Sequence, residues 1–106
     1  MPTTNQKECV HKDCNFAKVV LLLGDVWNIL IVHALIESSE VRFGEFLERI
    51  TGLSNSVLSS RLKNLLELGV IKRESIVAMP PQVIYSLTPT GAKLVPIFEQ
   101  LKDFEF

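Results

Sequence analysis

The 106-residue sequence is poor in the residues that enzymes use for chemistry. It contains two histidines, two cysteines and five glycines. Its carboxylates are not clustered, and it lacks the glycine-rich loop that holds a nucleotide phosphate. We therefore predict a protein that is not an enzyme and that binds neither a cofactor nor a metal ion.

The sequence also lacks an excess of positive charge. Eleven lysines and arginines oppose twelve aspartates and glutamates, so the net charge is −1. Because phosphate neutralisation supplies much of the affinity for nucleic acid, the chain as a whole is not a basic nucleic-acid binder. Residues 55–73, however, carry four basic side chains and one acidic side chain. That distribution allows a mildly positive surface on a nearly neutral body.

A clean apolar run of membrane-spanning length is missing as well. Four polar or charged residues interrupt the apolar stretch 16–36: Lys18, Asp25, Asn28 and His33. An aspartate in mid-membrane costs about 2.5–3.5 kcal/mol, and no small-residue cleavage site marks a signal sequence. Two helices that meet at Gly24-Asp25 explain the stretch better. We expect a cytoplasmic protein with no membrane partner.

Hydrophobic spacing predicts a mainly α-helical domain with a small β-hairpin, an α+β fold of five or so helices. We expect a flexible segment over residues 1–13 and a single domain over residues 14–106. Helices are predicted over 16–23, 26–37, 43 to Gly52, 55–68 and onward from Pro89. Strands are predicted over 70–77 and 82–87 around a tip at 78–81, with a loop or short edge strand at 38–41.

Helix boundaries carry their own signals. Asp25, Ser54 and Thr88 are residue types that cap helix N-termini. Pro96 falls inside the predicted last helix and is expected to kink it. The helix 26–37 is apolar nearly all round, which is typical of a helix buried on several sides. We place it at the centre of the core.

The helix 55–68 separates into two stripes. Leucines at 58, 62, 65 and 66 share one face, and Ser56, Ser59, Ser60, Lys63 and Glu67 share the opposite one. A β-hairpin follows at once. A helix with short polar side chains outward, next to a hairpin, is the layout of a winged helix-turn-helix, in which the helix enters the DNA major groove.

Several motifs resemble those of the HxlR-type winged helix-turn-helix transcriptional regulators, relatives of the MarR-like repressors. They run in the same order and spacing from residue 14 to about residue 101. The matching pieces are Cys14, Gly-x-x-Trp at 24–27, Arg-Phe-Gly-Glu at 42–45, Leu-Ser at 53–54, Val-Leu-x-x-Arg-Leu at 57–62, Leu-Gly-Val-Ile-x-Arg at 68–73, Pro-Pro at 80–81, Val-x-Tyr-Ser-Leu-Thr at 83–88, and Gly91.

The resemblance implies a homodimer that is joined through its terminal helices. It also implies that the dimer binds an inverted repeat in double-stranded DNA and regulates transcription. Some members of the family sense oxidants, quinones or electrophiles through the first-helix cysteine, which is Cys14 here. A small-molecule or oxidant inducer is therefore among the expected partners.

Short hydrogen-bonding side chains let a helix lie deep in a groove and reach base edges or phosphates. A plain solvated face is the alternative, although such faces favour Glu, Lys and Gln. Arg61 is expected either to pair with Glu45 or Glu48 or to hold a phosphate, and the hairpin residues 76–83 are expected on the adjacent backbone. The predicted DNA contacts are Arg42, Ser54, Asn55, Ser56, Ser59, Ser60, Arg61, Lys63, Lys72, Arg73 and Gln82.

Two cysteines near the N-terminus, Cys9 and Cys14, have three competing interpretations. A zinc site would need further ligands, and the spacing suits it poorly. A helix N-terminus can lower the pKa of a thiol, so Cys14 could sense oxidants with Cys9 as its resolving partner. Two inert thiols are the third interpretation.

Both ends of the domain carry more apolar side chains than one small domain can bury. A dimer seam would cover them and supply the two-fold symmetry that operators mirror. The predicted interface residues are Phe16, Val19, Val20, Leu23, Phe98, Leu101 and Phe104.

A different class of function remains open: a winged-helix module that binds another protein without sequence-specific DNA binding. The low net charge favours it. So do Val26, where the family usually has lysine, and Gln82, where it usually has arginine. Salt dependence separates the two functions, because affinity for phosphate falls steeply with salt.

Overall fold

The computed structural model describes residues 15–106. Within that range the chain forms six helices and three strands. In chain order they are α1 Asn15–Leu23, α2 Val26–Ser38, β1 Glu40–Arg42, α3 Phe43–Arg49, α4 Asn55–Glu67, β2 Ile71–Ile76, β3 Gln82–Leu87, α5 Pro89–Ala92 and α6 Val95–Asp103. The predicted winged helix-turn-helix, an α+β fold, is confirmed.

The three predicted N-caps are confirmed in atomic detail. Asp25 Oδ1 accepts hydrogen bonds from the backbone N–H groups of Trp27 at 2.9 Å and Asn28 at 3.1 Å. Ser54 Oγ accepts from Val57 N at 3.2 Å, and Thr88 Oγ1 accepts from Gly91 N at 3.0 Å. Each cap satisfies first-turn donors that have no partner inside the helix.

α2 lies at the centre of the core, as predicted, although its side at Val26 and Leu30 is exposed. Ile31, Val32 and Leu35 on this helix are almost completely buried. They belong to one apolar cluster with side chains from the other helices and the sheet. The largest of those partners that are completely buried are Phe46 of α3 and Leu58 and Leu65 of α4.

The sheet has three antiparallel strands in the order β1-β3-β2. The stretch predicted as a loop or short edge strand therefore supplies the third strand, β1. Val41 and Arg73 both pair with Tyr85. Since side chains alternate between faces along a strand, these three residues share the face that contacts the helices.

The prediction of a single kinked last helix was wrong. The chain forms two helices, and α5 ends at Ala92 before α6 begins at Val95. Pro96 lies in the first turn of α6. The first four backbone N–H groups of a helix have no partner within it, so a proline costs no hydrogen bond there.

No single helix among residues 15–106 is both long enough and apolar enough to cross a membrane. α1 and α2 reach that length and composition only when they are taken together, and they meet at an angle of 89°.

We predict that Gly91→Ala destabilises the fold. A Cβ atom at residue 91 would collide with the backbone carbonyl of Val70, which also accepts a hydrogen bond from Thr88 N at 3.1 Å. We expect the free energy of unfolding to fall by about 1–3 kcal/mol, as for other overpacked sites. Urea denaturation followed by circular dichroism measures it.

The matched control is Gly44→Ala in α3, where an added Cβ would meet no atom within 4 Å. Its stability should equal or slightly exceed that of the wild type, because alanine favours helices. Equal denaturation midpoints for the two variants would contradict the close contact between α5 and Val70.

Candidate nucleic-acid interface

The outward face of α4 is polar and exposed to solvent. Side chains at Ser56, Ser59, Ser60 and Lys63 are exposed, as are Ser54 and Asn55 where the helix begins. The opposite face buries Leu58, Leu62 and Leu65. The two predicted stripes are therefore confirmed, except that Leu66 is only half-buried. Serine hydroxyls both donate and accept hydrogen bonds, so this face can contact base edges or phosphate oxygens.

The turn before α4 sets its orientation. Gly52 has φ +84°, a backbone conformation that favours glycine. Leu53 then points into the core, where its side chain is buried. α3 is anchored beside it by Phe46 and Ile50, both buried. α3, the turn and α4 thus form the helix-turn-helix, with α4 as the outward helix.

Arg61 forms an ion pair, which is one of its two predicted roles, but with a partner that the sequence did not predict. Its Nε donates to Asp25 Oδ2 at 2.9 Å, and both side chains are about one-quarter exposed. The predicted partners, Glu45 and Glu48, were wrong. Asp25 lies 36 residues away in the sequence. Its role as a helix cap was recognisable, whereas its second contact depends on how α2 and α4 pack.

Asp25 consequently acts on two helices at once. Its Oδ1 caps the N-terminus of α2, and its Oδ2 accepts from the middle of α4. The Arg61 guanidinium also donates from its terminal Nη1 to Ser60 Oγ at 3.2 Å. A half-buried ion pair therefore holds one end of the central core helix against the polar helix.

A groove of about 340 Å³ lies between α4 and the sheet. Ser59 and Lys63 line it from α4, and Arg73 and Tyr85 line it from β2 and β3. One acid, Glu67, also borders the groove. The fold thus brings two basic side chains and a serine hydroxyl from separate elements to one concave surface, a combination that suits a phosphate group.

Arg42 and Lys72, which were predicted to contact DNA together with Arg73, do not share that surface. In the strand register Lys72 pairs with Ser86, and Arg42 pairs with Ile84. These positions alternate with Tyr85, so both basic residues lie on the other face of the sheet. The acids Glu40 and Glu74 occupy that same face, which leaves it without net positive charge.

The hairpin tip is apolar. β2 ends at Ile76 and β3 begins at Gln82, which pairs with Ile76 and is half-buried. Val77 and Met79 between them are 101% and 98% exposed. No charged residue occurs from residue 76 to residue 82.

The terminal helices expose several of the predicted interface residues. Phe16, Val20, Leu101 and Phe104 are exposed, whereas Val19 and Leu23 are half-buried. Phe98 does not fit the prediction, because it is 4% exposed and packs in the core of this chain.

The sequence reasoning missed two exposed apolar residues on the same helices. Leu21 of α1 and Ile97 of α6 are exposed. Leu21 follows the predicted Val20, and Ile97 precedes Phe98. On α6 the prediction took Phe98, which is buried, in place of its neighbour Ile97, which is exposed. Deciding which of the two belongs to the core would have corrected the predicted interface.

Cys9 and Cys14 lie outside the described residues, as does the predicted flexible segment 1–13. Within residues 15–106, no group of three or more His, Cys, Asp or Glu side chains could hold a metal ion.

Comparison with known proteins yields a family and similar structures. A family model described as HxlR-like helix-turn-helix matches residues 22–105. The chain is 42% identical over 97 residues to YvaP of Bacillus subtilis strain 168, an uncharacterized HTH-type transcriptional regulator. That alignment covers 92% of this chain and 86% of YvaP.

Two solved regulators have similar folds. The reduced form of the transcriptional regulator YodB from B. subtilis matches with a TM-score of 0.75 and 34% identity, over 82% of this chain and 84% of YodB. YodB has also been solved after diamide treatment. The redox regulator HypR in its oxidized form matches with a TM-score of 0.77 and 30% identity, over 85% of this chain and 92% of HypR.

We predict that Asp25 and Arg61 are energetically coupled. Asp25→Ser keeps a good N-cap and removes the charge, so a double-mutant cycle with Arg61→Ala isolates the ion pair. We expect a coupling free energy of at least about 0.5 kcal/mol from urea denaturation. Asp25→Ala, which also removes the cap, should cost about 1 kcal/mol more than Asp25→Ser. Strictly additive effects of the two changes would show that the pair contributes nothing.

Proposed function

The chain belongs to the HxlR-like helix-turn-helix family, and we propose that it acts as a homodimer on an inverted repeat in double-stranded DNA. The relatives are transcriptional regulators, and this chain is a DNA-binding transcriptional regulator and not an enzyme. The observation that carries the more specific proposal is the exposed polar face of α4, set beside a groove that holds two basic side chains.

In this proposal α4 enters the major groove, and the hairpin residues 76–83 reach the adjacent DNA backbone. The short side chains on the outward face of α4 would allow close approach to base edges. The remaining contacts would position the helix through phosphates. The base-edge candidates are Asn55, Ser56 and Ser60, Ser59 is a candidate for a base edge or a phosphate, and the phosphate candidates are Arg42, Ser54, Arg61, Lys63, Lys72, Arg73 and Gln82.

Among the phosphate candidates, Lys63 and Arg73 have the strongest support. They line one groove with Ser59, so one phosphate could receive contacts from all three. Arg61 has weaker support, because its Nε and Nη1 already donate hydrogen bonds to Asp25 and Ser60. Arg42 and Lys72 share a face with two acids, which reduces their attraction for DNA.

The proposed dimer joins α1 and α6 of the two copies. These helices expose Phe16, Val20, Leu101 and Phe104, and such large apolar side chains on adjacent elements are typical of an interaction surface. A two-fold dimer would present two copies of α4 to half-sites about one helical turn, roughly 34 Å, apart. Phe98 is left out of the proposed seam, because it serves the core.

We further propose that Cys14, with Cys9 as resolving partner, makes the regulator responsive to oxidants. The support is the similarity to HypR, a redox regulator, and to YodB, solved both reduced and after diamide treatment. In the proposed reaction two thiols form a disulfide, and the oxidant accepts two electrons and two protons. An electrophile that alkylates Cys14 is the other candidate for the inducer.

We predict that Ser59→Glu abolishes tight DNA binding without unfolding the protein. The new carboxylate would face phosphate, and like charges in an interface cost several kcal/mol, so affinity should fall by about a hundredfold or more. The measurement is fluorescence anisotropy with a labelled duplex that the wild type has selected from a random-sequence library, at two salt concentrations.

Ala92→Glu is the matched control, because it makes the same change in charge at an exposed position of α5, outside both the proposed DNA contacts and the proposed dimer seam. It should bind DNA as the wild type does. Wild-type affinity in Ser59→Glu would contradict the placement of α4 in the groove. If the wild type selects no duplex, or binds DNA with no dependence on salt, the protein-binding module is the better reading.

We predict that Cys14→Ser removes the response to oxidants. Wild-type protein should lose DNA affinity on treatment with diamide and recover it with dithiothreitol, and Cys14→Ser should show neither change. Cys9→Ser, which retains Cys14 as its one cysteine, should form no disulfide after diamide treatment, as checked by non-reducing electrophoresis. A diamide response that persists in Cys14→Ser would sink the proposed sensing site.

A further inference from the structure

The tip of the hairpin carries an apolar surface that nothing in the described part of the chain covers. Val77 and Met79 are fully exposed, and Ile76 next to them is 41% exposed. Two prolines, Pro80 and Pro81, complete the tip. Single exposed apolar residues are common on protein surfaces, but a contiguous apolar group with no interspersed charge indicates a binding surface.

The tip projects from the surface that faces DNA. Arg73, near the base of β2, lines the groove shared with Ser59 and Lys63 of α4. At about 3.3 Å per residue, a strand reaches about 13 Å from Arg73 to Val77 and up to about 20 Å to Met79. Half of a DNA helical turn is about 17 Å. With α4 in the major groove, the hairpin is therefore long enough for its tip to reach the neighbouring minor groove.

No side chain at the tip can hold a phosphate, so the backbone contact proposed for the hairpin depends on Gln82 at the start of β3. Phosphates attract lysine and arginine, and the tip has neither, with Ala78 between its two most exposed side chains. Valine, methionine and proline can gain free energy on DNA only against apolar parts, which are the sugars and the faces of the bases. Proteins that use such contacts insert apolar side chains at a base step from the minor-groove side.

The two prolines suit insertion. Each fixes its own φ near −65° and restricts the residue before it. The tip therefore loses little conformational entropy when it is confined in a narrow groove, which favours a wedge over a flexible contact.

We propose that Val77 and Met79 form an apolar wedge that enters the minor groove beside the site of α4 and kinks the duplex there. This inference rests on the proposed function, because it requires α4 in the adjacent major groove. It assigns the hairpin tip a role in deforming DNA and a preference for base steps that unstack easily, such as TA and CA steps.

The test uses the full-length protein and a duplex of about 30 base pairs (three helical turns) that the wild type has selected from a random library. Donor and acceptor dyes on its two ends report bending by energy transfer, and anisotropy reports affinity. The variant is the double change Val77→Ser and Met79→Ser, which alters only exposed side chains. Val26→Ser, an exposed valine where α2 begins, is the control.

We expect the wild type and Val26→Ser to raise the energy transfer between the two ends of the duplex. The double variant should leave it unchanged. The affinity of the double variant should fall about tenfold, as lost burial of two apolar side chains implies, with an unchanged slope of affinity against salt. A second variant, Met79→Lys, separates wedge from backbone contact. It should also lose the bend, whereas a tip lying along phosphates would gain affinity and a steeper salt dependence.

The outcomes are distinguishable. If the double variant bends and binds the selected duplex as the wild type does, the wedge is wrong, and the tip serves another occupant such as a protein. That result would leave the placement of α4 intact. If the wild type selects no duplex at all, the proposed function fails, and the wedge fails with it.

Discussion

The packing of α2 against several neighbours is the constraint on which the other elements depend. This helix packs against α1, α3, α4 and two strands of the sheet. An apolar helix with no polar face has to be covered from several directions, and short connections leave few ways to do so. The helix-turn-helix is held on one side of it and the hairpin on another. The N-cap of the same helix is Asp25, whose second oxygen accepts from Arg61, so the core helix and the polar helix α4 share an anchor.

That arrangement explains how a protein with a net charge of −1 can bind DNA. Long-range attraction between the whole molecule and a polyanion is weak here. What the fold supplies is local: two basic side chains in one groove, and short hydroxyl side chains on an exposed helix. A regulator built in this way gains less from nonspecific attraction and depends more on fit, which favours discrimination between sites over residence on arbitrary DNA.

The sequence correctly predicted the features that depend on residues close together along the chain. The caps at Asp25, Ser54 and Thr88 and the limits of β3 follow from local rules for hydrogen bonding and alternation. The errors involve choices that only packing decides. Pro96 was compatible with either a kink or a new first turn, and Phe98 with either the core or a seam. Arg61 had several acids within conceivable reach, and its partner came from a helix 36 residues away.

The candidate site shows the same division. The two stripes of α4 are a property of one helix and could be predicted from residue spacing alone. Which basic residues converge on the groove is a property of the strand register, and neighbours such as Lys72 and Arg73 are separated by the pleat. Cys9 and Cys14 could be identified as a pair of interest from family position, but their chemistry depends on surroundings that residue types alone do not define.

The position of β2 at the edge of the sheet has a consequence for how the protein behaves when concentrated. An edge strand offers unpaired backbone groups on which another chain can add a strand and start aggregation. Along β2 the successive residues Lys72, Arg73 and Glu74 put charge on both faces. An added strand would have to place its side chains beside these three charges, which discourages strand pairing between copies of the protein. The protection ends at Ile76, where β2 gives way to the apolar tip.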